Sequence, residues 1–222
     1  MTAQLIDGVF VVIARDLDEA WNLSVRGIMD FGYVYDIVRG SHVGSQRREL
    51  DSYVLQVLHP GTKPLVPIVP EGTPPPCTME YVEGYLPYLI CGGRQGNEDY
   101  TYGEDVEKQL PKFLEILREG GEGTNQACMT IGSADTSLWL ESSQCLKVID
   151  ARVRDGKLHF HVYFRSWDMW SGFPANLAAV QAFKEYVALE LGVPDGVLYA
   201  YSKGLHLYKH HWKFANEVLG RV

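Results

Sequence analysis

The stretch KVIDARVRDGKLHFHVYFRS, Lys147 to Ser166, constrains the fold more than any other. Two strand-like runs flank Asp155-Gly156. An Asp-Gly pair in that setting is the strongest short-range hairpin signal, because both residues of a two-residue loop need positive φ. The turn also sets the register: residues whose numbers sum to roughly 311 lie opposite each other. Cys145, just before the first strand, then falls near Ser166, just after the second. A thiol, Arg165 and Ser166 are therefore expected at one end of one sheet.

The rest of the chain supplies elements to pack on that hairpin. GVFVVIARD reads as a first strand. DLDEAWNLSVRGIMDFG follows as a helix, with Asp16 or Asp18 as its N-cap and Gly32 near its stop. YVYDIVRGSHVGSQRRELDSYVLQVLHP reads as a loop or hairpin that gathers Arg39, Arg47 and Arg48 and feeds a strand from Tyr53 to Leu58. GTKPLVPIVPEGTPPPC is a long irregular connection, of a kind that often carries function. TMEYVEGYLPYLICGG reads as a helix capped by Thr78 and kinked or broken at Pro87. EDVEKQLPKFLEILREG is a second helix closed by glycines, and QACMTIG a short strand. FPANLAAVQAFKEYVALELG is a long helix ending at Gly192, GVLYAYSKGLHLY a strand and turn, and KHHWKFANEVLG a last helix. Hairpin strands mixed with packed helices, without repeats or a linker, indicate one α+β domain over residues 1–222.

Composition narrows the function classes. With 46% apolar and 22% charged residues the chain can bury a substantial core. A net charge of -8 argues against a non-specific DNA or RNA binder, while leaving room for a local basic pocket. No apolar run reaches the roughly 18 residues of a membrane span, and the N-terminus has neither a basic start nor a cleavage site. A cytoplasmic protein is expected, with no DNA or membrane partner. Cys77, Cys91, Cys128 and Cys145 form no C-x-x-C pair, so neither zinc, nor any other metal, nor a redox pair is expected. Cys77, Cys91 and Cys128 read as small hydrophobes.

Several residues have both a chemical and a structural reading. A thiol with an ordinary pKa of about 8.5 needs a nearby cation to act as a nucleophile at neutral pH. Cys145 beside Arg165 would have one; otherwise it is a buried structural cysteine. Arg165 and Ser166 suit a phosphate, with Arg39 joining them, unless Arg165 pairs with a carboxylate such as Asp168. Asn176, in the first turn of its helix, is either a cap or an amide that reads a pyrimidine edge. His206 and Tyr208 share one face of a strand and suit a sugar hydroxyl, or a structural role.

Taken together, these segments resemble the thymidylate synthase family. Tyr163, Arg165, Ser166, Asp168, Gly172, Pro174, Asn176, His206 and Tyr208 follow the family order: a tyrosine, one residue, Arg-Ser, one residue, Asp, then Gly-x-Pro-x-Asn, then His-x-Tyr. QCL stands around Cys145. The likeness is strongest from about Thr124 to His211 and closest to the short archaeal-type members. It implies a thymidylate synthase-like single domain, a large mixed twisted sheet flanked by helices, that works as a homodimer. The implied reaction methylates a pyrimidine nucleoside monophosphate, usually dUMP, at C5 to give dTMP. The co-substrate would be methylenetetrahydrofolate or a related reduced methylene-pterin. Cys145 would attack C6 of the ring. Arg165, Ser166 and Arg39 would hold the phosphate, and Arg165 would lower the thiol pKa. Asn176 would read the base and take part in catalysis, and His206 with Tyr208 would hold the ribose hydroxyl. Asp168 and Gly172 would meet the pterin. Glu83, rather than Glu80, would organise water and shuttle protons, and Tyr102 would be the pocket tyrosine near the cysteine.

The sequence departs from the family pattern in places. Gln144 precedes the cysteine where proline is usual, and Ala175 precedes Asn176 where phenylalanine is usual. Thr124-Asn125-Gln126 stands where many members carry two arginines that reach the partner's phosphate, which leaves Arg47 or Arg48 as substitutes. The resemblance also admits a dCMP or CMP 5-hydroxymethylase on the same fold. An alternative of another class is a non-catalytic nucleotide-binding protein.

Overall fold

A computed structural model describes residues 1–94, 100–135, 137–140 and 142–221. The chain opens with a hairpin where a single strand is predicted. β1 (Thr2–Ile6) pairs antiparallel with β2 (Val9–Ala14) across Asp7-Gly8, at φ 47° and 87°. This is the same Asp-Gly turn chemistry read further along the chain. α1 (Leu17–Phe31) starts at Asp16, whose carboxylate accepts from the Glu19 N–H at 3.0 Å. Gly32 ends it at φ -66°, so the glycine answers crowding rather than handedness: a Cβ there would stand 2.6 Å from the Ile28 carbonyl.

β3 (Tyr33–Asp36) and β4 (Gln46–Leu50) form a second hairpin, and residues 37–45 loop between them. Arg39 lies in that loop. Arg47 and Arg48, predicted in the loop, are on β4 instead. β5 (Tyr53–Val57) precedes the irregular connection up to Thr78. α2 (Met79–Ile90) is capped by Thr78 Oγ1, which accepts from the Tyr81 N–H at 3.2 Å. The helix runs on through Pro87 rather than breaking there. The carbonyl four residues earlier belongs to Glu83, an exposed residue, where water can replace the missing donor. α3 (Gly103–Gly120) leads to β6 (Cys128–Thr130).

β7 (Leu146–Arg154) and β8 (Lys157–Phe164) form the predicted hairpin, with Asp155 at φ 50° and Gly156 at φ 69°. The register holds from Arg154↔Lys157 to Val148↔Tyr163 and then slips by one at a bulge, giving Leu146↔Phe164. Cys145 therefore meets Arg165 rather than Ser166: the Arg165 N–H donates to the Cys145 carbonyl at 2.8 Å. β9 (Trp167–Asp168) follows, then α4 (Gly172–Leu191), closed by Gly192 at φ 68°. Because α4 begins at Gly172, Asn176 lies in its second turn and is not its cap. Ser171 is the N-cap and makes no side-chain cap bond; the Asp168 carboxylate accepts instead from the N–H groups of Ser171 and Gly172 at 3.1 Å each. β10 (Asp195–Ser202), β11 (Leu205–Tyr208) and α5 (Trp212–Val218) complete the fold.

The strands make two sheets. One is a mixed seven-stranded sheet in the order β1-β2-β5-β10-β8-β7-β6, as the resemblance implies. The other, β3-β4-β11-β9, has no counterpart in the sequence reading. Five connections pass from one sheet to the other: β2 to β3 through α1, β9 to β10 through α4, and three that run directly from strand to strand, β4 to β5, β8 to β9 through Arg165-Ser166, and β10 to β11 through Lys203-Gly204. On β2, β5, β8 and β10 alternate residues are buried, and their neighbours are half-exposed on the other face. α4 lies on the buried face, where Phe173, Leu177, Val180 and Phe183 are covered. One contiguous apolar core runs from Phe10 to Ala215. Among the described residues no helix is long and apolar enough to cross a membrane.

Candidate active site

The corner where strands change sheets is also where the polar residues gather. Cys145 enters from the loop before β7. Arg165 anchors that loop: its Nε donates to the Gln144 carbonyl at 3.1 Å, one Nη donates to the Ser143 carbonyl, and the same nitrogen lies 3.9 Å from Cys145 Sγ. Burial pushes the thiol pKa up, while Arg165 and then Lys147 pull it down and Asp168 pushes it up again. The net direction is upward, so the expected lowering by Arg165 is present but outweighed by burial.

Two cavities meet at Cys145. The first, of about 440 Å³, is lined by Arg39, Arg47, Arg165 and Lys203, with Ser166, His206 and Tyr208. Glu49 and Asp168 also border it, so four cations face two carboxylates. That surplus of two positive charges matches a phosphate monoester dianion. Of the two candidate substitutes, only Arg47 reaches this cavity. Its Nε lies 3.2 Å from Glu49, and it donates to the Tyr35 hydroxyl. Arg48 turns away to the Met29 carbonyl, 3.3 Å off, and lies over the Trp212 ring. Lys203 was not singled out in the sequence. It sits in a strand-to-strand turn whose importance depends on the second sheet.

His206 is 3% exposed. One of its ring nitrogens, Nδ1, lies 3.1 Å from the Gly204 carbonyl, which can only accept, so Nδ1 carries the proton. The other, Nε2, is then a buried acceptor without a hydrogen-bond partner among the described residues. Burial pushes the imidazole pKa down to about 4, so the ring is neutral near pH 7. The Tyr208 ring packs edge-on against it at 4.9 Å. This pair offers an acceptor and a phenol to a ligand hydroxyl.

The second cavity, of about 840 Å³, has aromatic walls: Tyr81, Tyr85 and Tyr88 from α2, Tyr102, and Trp167. Asn176, Asp168 and Gly172 line it as well. Tyr102 is buried, and its hydroxyl accepts from the Leu146 N–H at 3.4 Å, next to the cysteine. Burial holds its pKa well above the usual phenol value. Asp168 borders both cavities, but its carboxylate already accepts three backbone N–H groups, from Trp170, Ser171 and Gly172. A carboxylate has about four lone-pair sites, so one remains for a ligand. Glu83 lines neither cavity, whereas Glu80, one turn earlier, lines the second. Tyr85 and Trp167 are not among the candidate site residues of the sequence, where nothing local marks which aromatic side chains wall a cavity. Among the described residues no group of three or more His, Cys, Asp or Glu side chains is assembled as a metal site.

Known proteins share the sequence pattern and the fold of this chain. A family model described as thymidylate synthase matches residues 104–222. A protein of Methanosarcina acetivorans named "Putative thymidylate synthase" is 28% identical over 216 residues, covering 94% of each chain. A protein of the same name from Methanosarcina barkeri is 27% identical over 219 residues, covering 96% of this chain and 95% of its own. The solved thermostable thymidylate synthase A from Bacillus subtilis superposes with a TM-score of 0.73 at 18% identity, covering 93% of this chain and 85% of that one, which establishes a shared fold. With more than half its length matched by the family model, the chain belongs to the thymidylate synthase family.

Proposed function

We propose that the protein is a thymidylate synthase, converting dUMP to dTMP by one-carbon transfer to C5 through a covalent adduct on Cys145. One observation carries this reading: Cys145 stands where a cationic cavity and an aromatic cavity meet, with the Arg165 guanidinium 3.9 Å from its sulfur. A nucleoside monophosphate fits such a site with its phosphate among Arg39, Arg47, Arg165 and Ser166. Its ribose hydroxyl would face His206 and Tyr208, and its base would reach past the thiol towards Asn176.

In this reading Sγ gives up its proton and bonds to C6, and the ring's electron pair moves towards C5 and the C4 oxygen. C5 would then bond to the one-carbon unit, whose carbon–nitrogen bond to the pterin must break in return, with the pterin's hydride completing the methyl group. Loss of the C5 proton and departure of Sγ restore the C5–C6 double bond. The aromatic cavity suits a reduced methylene-pterin: its tyrosine walls fit a flat ring, and Asp168 keeps one lone-pair site. Gly172 leaves that wall bare, since a Cβ there would stand 3.3 Å from the Asp168 Cβ. When bound, the pterin supplies the one-carbon unit and the reducing hydride. Of the α2 glutamates, Glu80 is assigned the water-organising role because it borders this cavity.

A homodimer is part of the proposal. Among the described residues the large sheet's second face is half-exposed, and it presents His161 stacked on Tyr199 at 4.4 Å. Beside them Arg152 Nε is buried without a hydrogen-bond partner among the described residues. All four cysteines are unpaired, which fits a reducing cytoplasm.

The test is to incubate the protein with dUMP, dCMP or CMP and methylenetetrahydrofolate, weigh the products, and follow tritium release from C5. Methylated dUMP with dihydrofolate formation is expected, and Cys145→Ser should abolish tritium release while leaving nucleotide binding largely intact. Hydroxymethylated product without dihydrofolate would overturn methyl transfer. Full exchange by Cys145→Ser would overturn the nucleophile.

A further inference from the structure

Asn176 is held at both ends. Trp167 Nε1 donates to its Oδ1 at 2.9 Å, and its Nδ2 donates to the Tyr85 hydroxyl at 2.7 Å. The polarity follows from chemistry rather than from telling oxygen from nitrogen. An indole N–H can only donate, so the amide oxygen must face Trp167 and the amide nitrogen must face Tyr85. The indole itself is fixed: Trp167 is buried, stacked on Phe164 at 4.1 Å and packed on Phe173 at 4.5 Å. The Tyr85 ring lies between those of Tyr81 and Tyr88. Burial keeps this phenol protonated, with its pKa pushed well above the usual value.

We propose that Trp167 and Tyr85 are positioning residues that set pyrimidine choice by locking the Asn176 amide in one polarity. The amide keeps one free lone pair on Oδ1 and one free hydrogen on Nδ2. A Cβ on Gly172 would come within 3.8 Å of Oδ1, so the glycine leaves that oxygen open to the cavity. The free pair accepts from a ring N3–H, and the free hydrogen donates to a C4 carbonyl, which is the edge of uracil. Cytosine reverses both groups. To suit it the amide would have to turn over, which brings Nδ2 against the Trp167 N–H with no acceptor between two donors. The lock therefore disfavours cytosine without any side chain that excludes it by size. This inference rests on the proposed reading of the cavity as a pyrimidine nucleotide site.

The experiment measures calorimetric binding of dUMP and of dCMP to the full chain as wild type, Trp167→Phe and Tyr85→Phe. The wild type should favour dUMP by about tenfold or more, the factor expected when a buried polar group is left unpaired. Trp167→Phe should bring the ratio towards one, mainly by tightening dCMP, and Tyr85→Phe should narrow it to a lesser degree. A merely structural role would weaken both nucleotides alike and leave the ratio unmoved. An unchanged ratio in both variants overturns the proposal, as does a wild type that favours dCMP. Should Trp167→Phe fail to fold by circular dichroism, Tyr85→Phe decides alone, and an unchanged ratio overturns it. Absence of binding by either nucleotide overturns the pocket reading and this inference with it. The expected ratios without C5 exchange would sink the catalytic reading and leave this one standing.

Discussion

The thiol of Cys145 is pulled in two directions, and the balance can be read by alkylation. Burial holds its pKa up while Arg165 and Lys147 lower it. The rate of reaction with iodoacetamide should therefore keep rising above pH 8 in the wild type. Arg165→Ala removes the nearest cation, raises the thiol pKa further and should slow alkylation several-fold at pH 8. Arg165→Lys, which keeps the charge but loses the fork that grips the Ser143 and Gln144 carbonyls, should show a smaller shift. The partnership of Cys145 with this arginine was legible in the sequence because an Asp-Gly turn counts residues along both strands. The one-residue slip was not, because the bulge lies at the far end of the hairpin, where neighbouring strands and the cysteine loop decide the pairing. Lys203 was hidden for a related reason: nothing local marks the point where a strand leaves one sheet for another.

Elements were legible where a single side chain fixes a boundary. Asp16, Thr78, Asp155-Gly156 and Gly192 all act in the structure as their local chemistry predicts. Packing decides the rest, and two glycines show how. A Cβ added at Gly84 in α2 would meet nothing within 4 Å, so Gly84→Ala should stabilise the fold by up to about 1 kcal/mol through helix propensity. Gly103 opens α3 against the end of α2, and a Cβ there would stand 1.9 Å from the Cys91 carbonyl oxygen. Gly103→Ala should instead destabilise by about 2 kcal/mol or more, because backbone, not a flexible side chain, must move. Urea unfolding of both variants checks the opposite signs, with unchanged m-values expected.

At the scale of the whole molecule, one buried imidazole, His206, and one half-buried imidazole, His211, make stability depend on acid. His206 and His211 have pKa values pushed down to about 4, chiefly by burial. Between their unfolded value of about 6.5 and that point, the unfolded chain binds protons that the fold refuses, so stability falls as pH falls. Glu49, 3.9 Å from His206, has its pKa raised by burial and works in the opposite sense. Calorimetry should show Tm dropping by roughly 5 °C between pH 6.5 and pH 4.5. The double variant His206→Gln/His211→Gln should lose most of that slope. The large mixed sheet could be anticipated from strand patterns and the family resemblance, though not its edge strand β1. The second sheet could not, since β9 is too short to announce itself and β4 is rich in charge. Yet that sheet makes the corner in which Cys145, Ser166 and Asp168 belong to both cavities at once. Ligands that share a wall are thermodynamically linked. Whatever factor one occupant contributes to the affinity of the other must be returned unchanged, and titrations in either order must close the same cycle.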